Sequence, residues 1–250
     1  LRLSLLSIII NVMAYGGYRR RRGVASFLIA LLVAGFGIWS ELTTQAEIDR
    51  QNDAIIASKE KPSTTFARDA LSQLLIKGRA PKTDYRRAQF GDGWRKNGDC
   101  TTRELILARD MSDATIEKCK VLNGTLRDPY TNKTILFVRG PDTSDDVQID
   151  HMVALSNAWQ TGAQQLTGGV RENLANDPLN LLAVDGQTNQ DKGDGDAATW
   201  LPPNKAYRCA YVARQIAVKQ KYKLWVTSGE HDAMIRVLTE CPSQRLPTII

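Results

Sequence analysis

The chain is poor in the residues from which metal and redox sites are most often built. Histidine occurs twice in 250 residues, as His151 and His231, which excludes a zinc site of three imidazoles within one chain. Cysteine occurs four times, as Cys100, Cys119, Cys209 and Cys241, and no pair has C-x-x-C spacing. The lack of that spacing argues against a zinc ribbon or a thioredoxin-type dithiol. Four cysteines are also too few for a mini-protein built on disulfides. A hydrophobic share of 42% beside 24% charged residues excludes a mostly disordered chain.

The formal net charge is +6, but its location matters more than its size. Residues 1–23 carry five arginines and no acid, residues 41–61 sum to −2, and residues 62–250 to +3. Most of the basic excess is thus a membrane-topology signal and not a nucleic-acid footprint. Arg19 to Arg22 stand directly before VASFLIALLVAGFGIW, residues 24–39, which carry no charge. A basic flank before an apolar run is the pattern of a signal peptide or signal anchor. The run is short against the roughly 20 residues of a full span. No A-x-A cleavage site follows, which favours an uncleaved anchor over a cleaved signal. Either way, the remainder is expected outside the cytoplasm. Met13 opens a normal signal-anchor start, so residues 1–12 read as an upstream extension.

The expected organisation is a basic flank and signal or anchor over 1–40, a polar stalk over 41–62, and one domain over 63–245. Export makes two disulfides the natural reading of four cysteines. Three pairings exist, of which Cys100–Cys119 with Cys209–Cys241 is the sequence-local one; four buried free thiols are the alternative.

Within the domain, apolar spacing predicts a helix over 66–78. Residues 101–111 suit a short helix or an extended segment. Asn123-Gly124 signals a hairpin turn, and 134–140 a strand. VQIDHMVAL (147–155) reads as a strand ending at Asp150-His151, followed by a long polar connection over 156–178. NLLAV (180–184) reads as a second strand, and a short helix starts near Thr188. Two longer helices follow, from about Ala206 to Leu224 and from about Ser228 to Cys241.

The chemistry concentrates in Asp150-His151, Asn180 and Asn189-x-x-Lys192. Hydrolysis of a phosphodiester needs a base for the attacking water and charge stabilisation at phosphorus. Asp150 and Asn189 offer hard oxygen donors of the kind that suit Mg²⁺. Adjacent strand residues point to opposite faces, so Asp150 and His151 can divide metal and water between them where the strand ends. Asn180 can brace the His151 ring or loop. Lys192, one turn after Asn189, can meet phosphate.

At these residues the chain resembles the HNH, or ββα-metal, endonuclease family. The family's motifs stand here as QIDHMVAL, PLNLLAV and TNQDKGD. Further stretches, IKGRAP (76–81), FGDGW (90–94), DPYTN (128–132) and NQDKGDGDAATWLPP (189–203), resemble exported actinobacterial HNH proteins. Those are related to the C-terminal domain of GmrSD-type restriction nucleases. The resemblance covers roughly residues 64–242. It implies an α+β fold with a ββα-metal core, a small antiparallel sheet and flanking helices. It implies His151 as general base, Asp150 and Asn189 as metal ligands, Asn180 as the group that orients the histidine, and a more weakly transferred role for Lys192. Mg²⁺, or else Mn²⁺, is the implied metal and DNA, or else RNA, the implied substrate. Modified-base specificity does not carry over, because no second domain accompanies this one.

Blander readings stand beside these. His231 reads as solvated. Trp94, Trp159, Trp200 and Trp225 read as core. Asp142, Asp145 and Asp146 read as turn formers, and Asp191, Asp194 and Asp196 as helix caps. A silent nucleic-acid or envelope-binding module, or a hydrolase of another envelope phosphodiester, remains the functional alternative.

Overall fold

The computed structural model describes residues 61–248. The anchor expected at 24–39 and the stalk up to residue 60 lie outside them. Among the described residues no helix is long and apolar enough to cross a membrane. The architecture is mixed α and β, with small antiparallel sheets and helices around them.

Strand β1 (Lys61–Phe66) pairs antiparallel with the last strand, β9 (Arg245–Thr248). Helix α1 is shorter than the apolar spacing predicts, Ala67–Ser72. Its continuation is diverted: the backbone of Leu75 and Lys77 bonds to Val226, and a ladder bond to a distant segment replaces the next helical turn.

A minimal hairpin, β2 (Lys96–Asn97) and β3 (Cys100–Thr101), leads into α2 (Thr102–Asp110). The Thr101 side chain accepts from the Glu104 N–H and so caps that helix. Then come β4 (Met111–Glu117), β5 (Lys120–Arg127) and β6 (Thr134–Val138), a three-stranded antiparallel sheet in that order. The turn between β4 and β5 is not at Asn123-Gly124. It falls at Lys118 and Cys119, both at positive φ (45° and 69°), the geometry of a two-residue type I′ loop. Asn123 and Gly124 lie inside β5, opposite Val138 and Phe137. Gly124 serves close approach: a Cβ there would sit 3.1 Å from Met111 Sδ. Disulfides join Cys100 to Cys119 and Cys209 to Cys241, the sequence-local pairing. Two disulfides agree with an oxidising compartment.

The second half opens with β7 (Val147–His151), which pairs antiparallel with β8 (Leu181–Asp185), His151 opposite Leu181. The connection between them is helical, where a polar loop is expected from sequence. It holds α3 (Leu155–Gln160) and α4 (Gly168–Ala175). Leu155, Ala158 and Trp159 recur at helical spacing and enter the core. Thr167 caps α4 by accepting from the Val170 N–H. Helix α5 (Gly186–Lys192) follows β8 directly, capped by Asp185. Helices α6 (Arg208–Lys221) and α7 (Ser228–Thr239) complete the layer. The latter starts with a reciprocal capping box between Thr227 and Glu230.

The β7–β8 pair separates two apolar clusters. Val147, Ile149, Leu181 and Ala183 pack with α2 and the three-stranded sheet. Leu182 and Val184 pack with α3, α4, α6 and α7. Both faces of the pair are therefore buried, which is why NLLAV reads as a continuous apolar run.

Gly186 is a strict constraint on how α5 meets this pair. A Cβ built on it falls 2.0 Å from the carbonyl oxygen of Asp145, a backbone atom that cannot rotate away. Gly186→Ala should therefore destabilise the domain by about 1–3 kcal/mol, the scale of overpacking. Urea unfolding tests this; an unchanged midpoint would show that the contact is not tight.

Candidate active site

Helix α5 lies against β7, and two periodicities coincide there. Asn189 and Lys192 are three residues apart, one helical turn. Gln148 and Asp150 are two apart and share a strand face. Asn189 Nδ2 donates to Gln148 Oε1 at 2.9 Å, and Lys192 Nζ donates to Asp150 Oδ1 at 2.9 Å. The Lys192 ammonium also reaches the His151 carbonyl at 2.8 Å, and its side chain is wholly buried.

This placement alters the role expected of Lys192. Its charge is spent inside the protein, on the Asp150 carboxylate, and it does not line the neighbouring cleft. The second Asp150 oxygen, Oδ2, accepts from the Tyr130 hydroxyl. Burial and then the Asp150 charge hold the Tyr130 phenol far above its ordinary pKa, so it stays a donor. Asp150 is thereby fixed by one cation and one phenol.

His151 occupies the opposite strand face. Its ring stacks on Trp94, centroids 5.7 Å apart and planes 5° from parallel. Nε2 lies 2.9 Å from the Ala175 carbonyl oxygen. A carbonyl can only accept, so Nε2 carries the proton and a neutral ring keeps its lone pair on Nδ1. The ring is held neutral. Burial first, then the Arg87 charge, push its pKa from 6.5 down to about 3.

Asn180 is fully buried and braces this arrangement from behind. Its Oδ1 accepts from the Val153 N–H at 2.9 Å, and its carbonyl accepts from the Met152 N–H at 2.8 Å. Its Nδ2 donates to the carbonyl of Leu174, next to the Ala175 that holds the histidine ring. It therefore fixes the backbone that follows His151 and the helix end whose Ala175 carbonyl holds the ring. The turn that carries it is clasped by two arginines. Arg109 and Arg214 each donate to the carbonyls of Pro178 and Leu181.

The free edge of β7 opens on a cleft of about 440 Å³. Asp150, His151 and Asn189 all line it, with Arg87, Arg103 and Trp94 around them. Strand faces alternate, yet both Asp150 and His151 reach the cleft, because it runs along the edge where the strand ends. With Nδ2 held by Gln148, Asn189 turns its Oδ1 free of that bond. Sequence reasoning does not find Tyr130, Trp94, Gln148 or Arg87 as site residues. Two of them sit in stretches that carry the resemblance, Tyr130 in DPYTN and Trp94 in FGDGW, which was the available signal. Trp94 is not simply a core residue. His231 is remote from this cleft, with Nδ1 3.5 Å from Asp232.

A buried histidine and a buried carboxylate thus line one open cleft, on a strand pair backed by a helix. Residues 101–237 match the family of GmrSD restriction endonucleases, C-terminal domain. The chain belongs to this family, and its function is nuclease-related. Over 183 residues it is 37% identical to an uncharacterized secreted protein of Arthroderma benhamiae, covering 72% of this chain and 87% of that protein. No solved structure matches the chain.

Two measurements test the site. Removing the Lys192 ammonium leaves the Asp150 charge buried, so Lys192→Ala should cost about 3–5 kcal/mol of stability. A lysine that only met phosphate would leave chemical denaturation unchanged and raise KM alone. The depressed His151 pKa gives the second. The unfolded ring protonates near 6.5 and the folded ring only near 3. Its stabilising preference is fully present above 6.5 and is lost as pH falls toward 3. His151→Gln should flatten the fall in thermal midpoint between about pH 6.5 and 5 relative to wild type. Parallel curves would contradict the neutral, buried ring.

Proposed function

We propose that the protein is a metal-dependent endonuclease of the HNH, or ββα-metal, type that hydrolyses phosphodiester bonds of DNA. The observation that carries this is the His151 ring, anchored through Nε2 with its Nδ1 lone pair left over, lining the same cleft as Asp150 and Asn189. Strands β7 and β8 followed by α5 supply the ββα order that the family resemblance implies.

The donor set fits a hard divalent cation. Asp150 and Asn189 give two oxygens at an open cleft, and Mg²⁺ commonly takes one or two protein oxygens while keeping several waters. Each Asp150 oxygen already accepts one bond but retains a lone pair. Because Lys192 already counters the Asp150 charge, binding should be weak in the free protein and tighten with substrate phosphate. When bound, the cation would supply charge stabilisation at the phosphoryl oxygens and the leaving oxygen.

The chain's own groups do the rest. Arg87 is exposed and lines the cleft, and Arg103 lies at the same wall; both suit a phosphodiester. His151 Nδ1 takes a proton from water as the water attacks phosphorus, and the 3′ oxygen leaves. Trp94 fixes the plane of the ring and Ala175 its tautomer. Tyr130 and Lys192 hold Asp150 in place. The disulfides, together with a relative named as secreted, support action outside the cytoplasm. Residues 24–39 would then serve as the signal or anchor.

Plasmid nicking with Mg²⁺, Mn²⁺ or EDTA tests the reading. His151→Ala should lose about 10²–10⁴-fold in rate, the range for a general base. Asn189→Ala should require more metal, and EDTA should abolish cleavage. Wild-type nicking by His151→Ala in metal-containing buffer would overturn the assignment.

A further inference from the structure

A second groove, of about 640 Å³, lies beside the Cys209–Cys241 disulfide. Trp200 and Leu201 are among its apolar walls, and Lys205, Arg208 and Arg236 bring three cations against one acid, Glu240. Arg208 is tied through Nε to the Pro202 carbonyl at 2.8 Å. Lys205 and Arg236 are exposed, and no hydrogen bond or ion pair links their side chains to another described residue. Unpaired cations around an indole form the combination that binds a single nucleic-acid strand, charge for phosphate and ring for base.

Its position relative to the cleft is set by one short segment. Gly193 and Asp194 line the cleft, whereas Ala197 to Leu201 line the groove. Three residues of chain span at most ~11 Å, so the two sites come within a few nucleotides of each other. The carboxylates in between would repel a phosphate chain if they were free. They are not: Lys82 pairs with Asp194 at 2.7 Å, and Arg79 with Asp196 at 2.6 Å. The path from cleft to groove is thus neutralised along its length. Trp200 also packs on Tyr130 at 5.1 Å, so the groove wall rests on the residue that holds Asp150.

We propose that this groove binds the single-stranded segment of substrate that flanks the scissile phosphate. The proposal deepens the nuclease reading and rests on it for the identity of the ligand. The test pairs wild type with the double variant Lys205→Gln/Arg236→Gln. Binding of fluorescein-labelled oligodeoxynucleotides of about 4 and about 16 nucleotides is read by anisotropy in EDTA. Hydrolysis of bis(p-nitrophenyl) phosphate, too small to reach the groove, is read with metal. The expected result is a loss of about tenfold or more on the longer strand, with the salt slope reduced by about 1.4, or 0.7 per charge removed. Affinity for the short strand and the rate on the small diester should stay unchanged.

Unchanged affinity for the long strand would overturn the proposal while leaving the nuclease reading intact. Equal losses on both lengths would overturn it in favour of a compact anion pocket. A slowed small diester would overturn it by placing the two residues in the catalytic cleft. Wild-type protein that cleaves neither plasmid nor small diester, yet shows the groove-dependent affinity, would sink the nuclease reading and keep the groove.

Discussion

One buried ammonium group joins the two halves of the site. Lys192 Nζ spans from helix α5 to the Asp150 carboxylate and the His151 carbonyl. A charge with no solvent access is tolerable only when paired and hydrogen-bonded. Here the pairing fixes the rotation of α5 on β7, because a helix turned by one residue would strand the charge. Asn189, one turn earlier, is delivered to Gln148 and the cleft by that same rotation. The Lys192 charge thus sets helix position.

The rest of the strand pair is secured by side chains substituting for missing strands. Among the described residues the outer edge of β8 has no partner strand, but the N–H groups of Ala183 and Asp185 are taken by the carboxylates of Asp110 and Asp128. Asp110 is itself held by Arg109, which also grips the turn before β8. One edge is therefore sealed and the other, on β7, is left to the cleft. A two-stranded sheet is marginal alone; this one is stable because polar groups close its edge and apolar clusters cover its faces.

What could be read from sequence follows from which interactions are local. Strands at Asp150-His151 and after Asn180, and the short helix bearing Asn189, are legible from apolar runs and turn residues at short range. The disulfide pairing was legible for the same reason. The Asn123-Gly124 turn misleads because Gly124 answers to Met111 across the sheet. Helix α1 ends early because Val226 claims its backbone. The orientation of Lys192 escaped, since spacing shows that it shares a face with Asn189 but not what that face meets. Tyr130 and Trp94 reach the site from 20 and 57 residues away in the chain, as Asp150 and His151 require. No periodicity reports a contact at that range.

The strand pair that carries Asp150 and His151 forms the seam between two apolar clusters. Local openings in proteins start at frayed ends and exposed loops, whereas segments covered on both faces exchange their amide hydrogens only when the whole fold opens. Asp150 and His151 are therefore expected to stand on slowly exchanging backbone, whereas Arg87 stands on the exposed surface. Heat or denaturant would then remove this geometry only together with the fold. Short of that point, partial damage at the surface would disturb Arg87 before it disturbed the His151 ring.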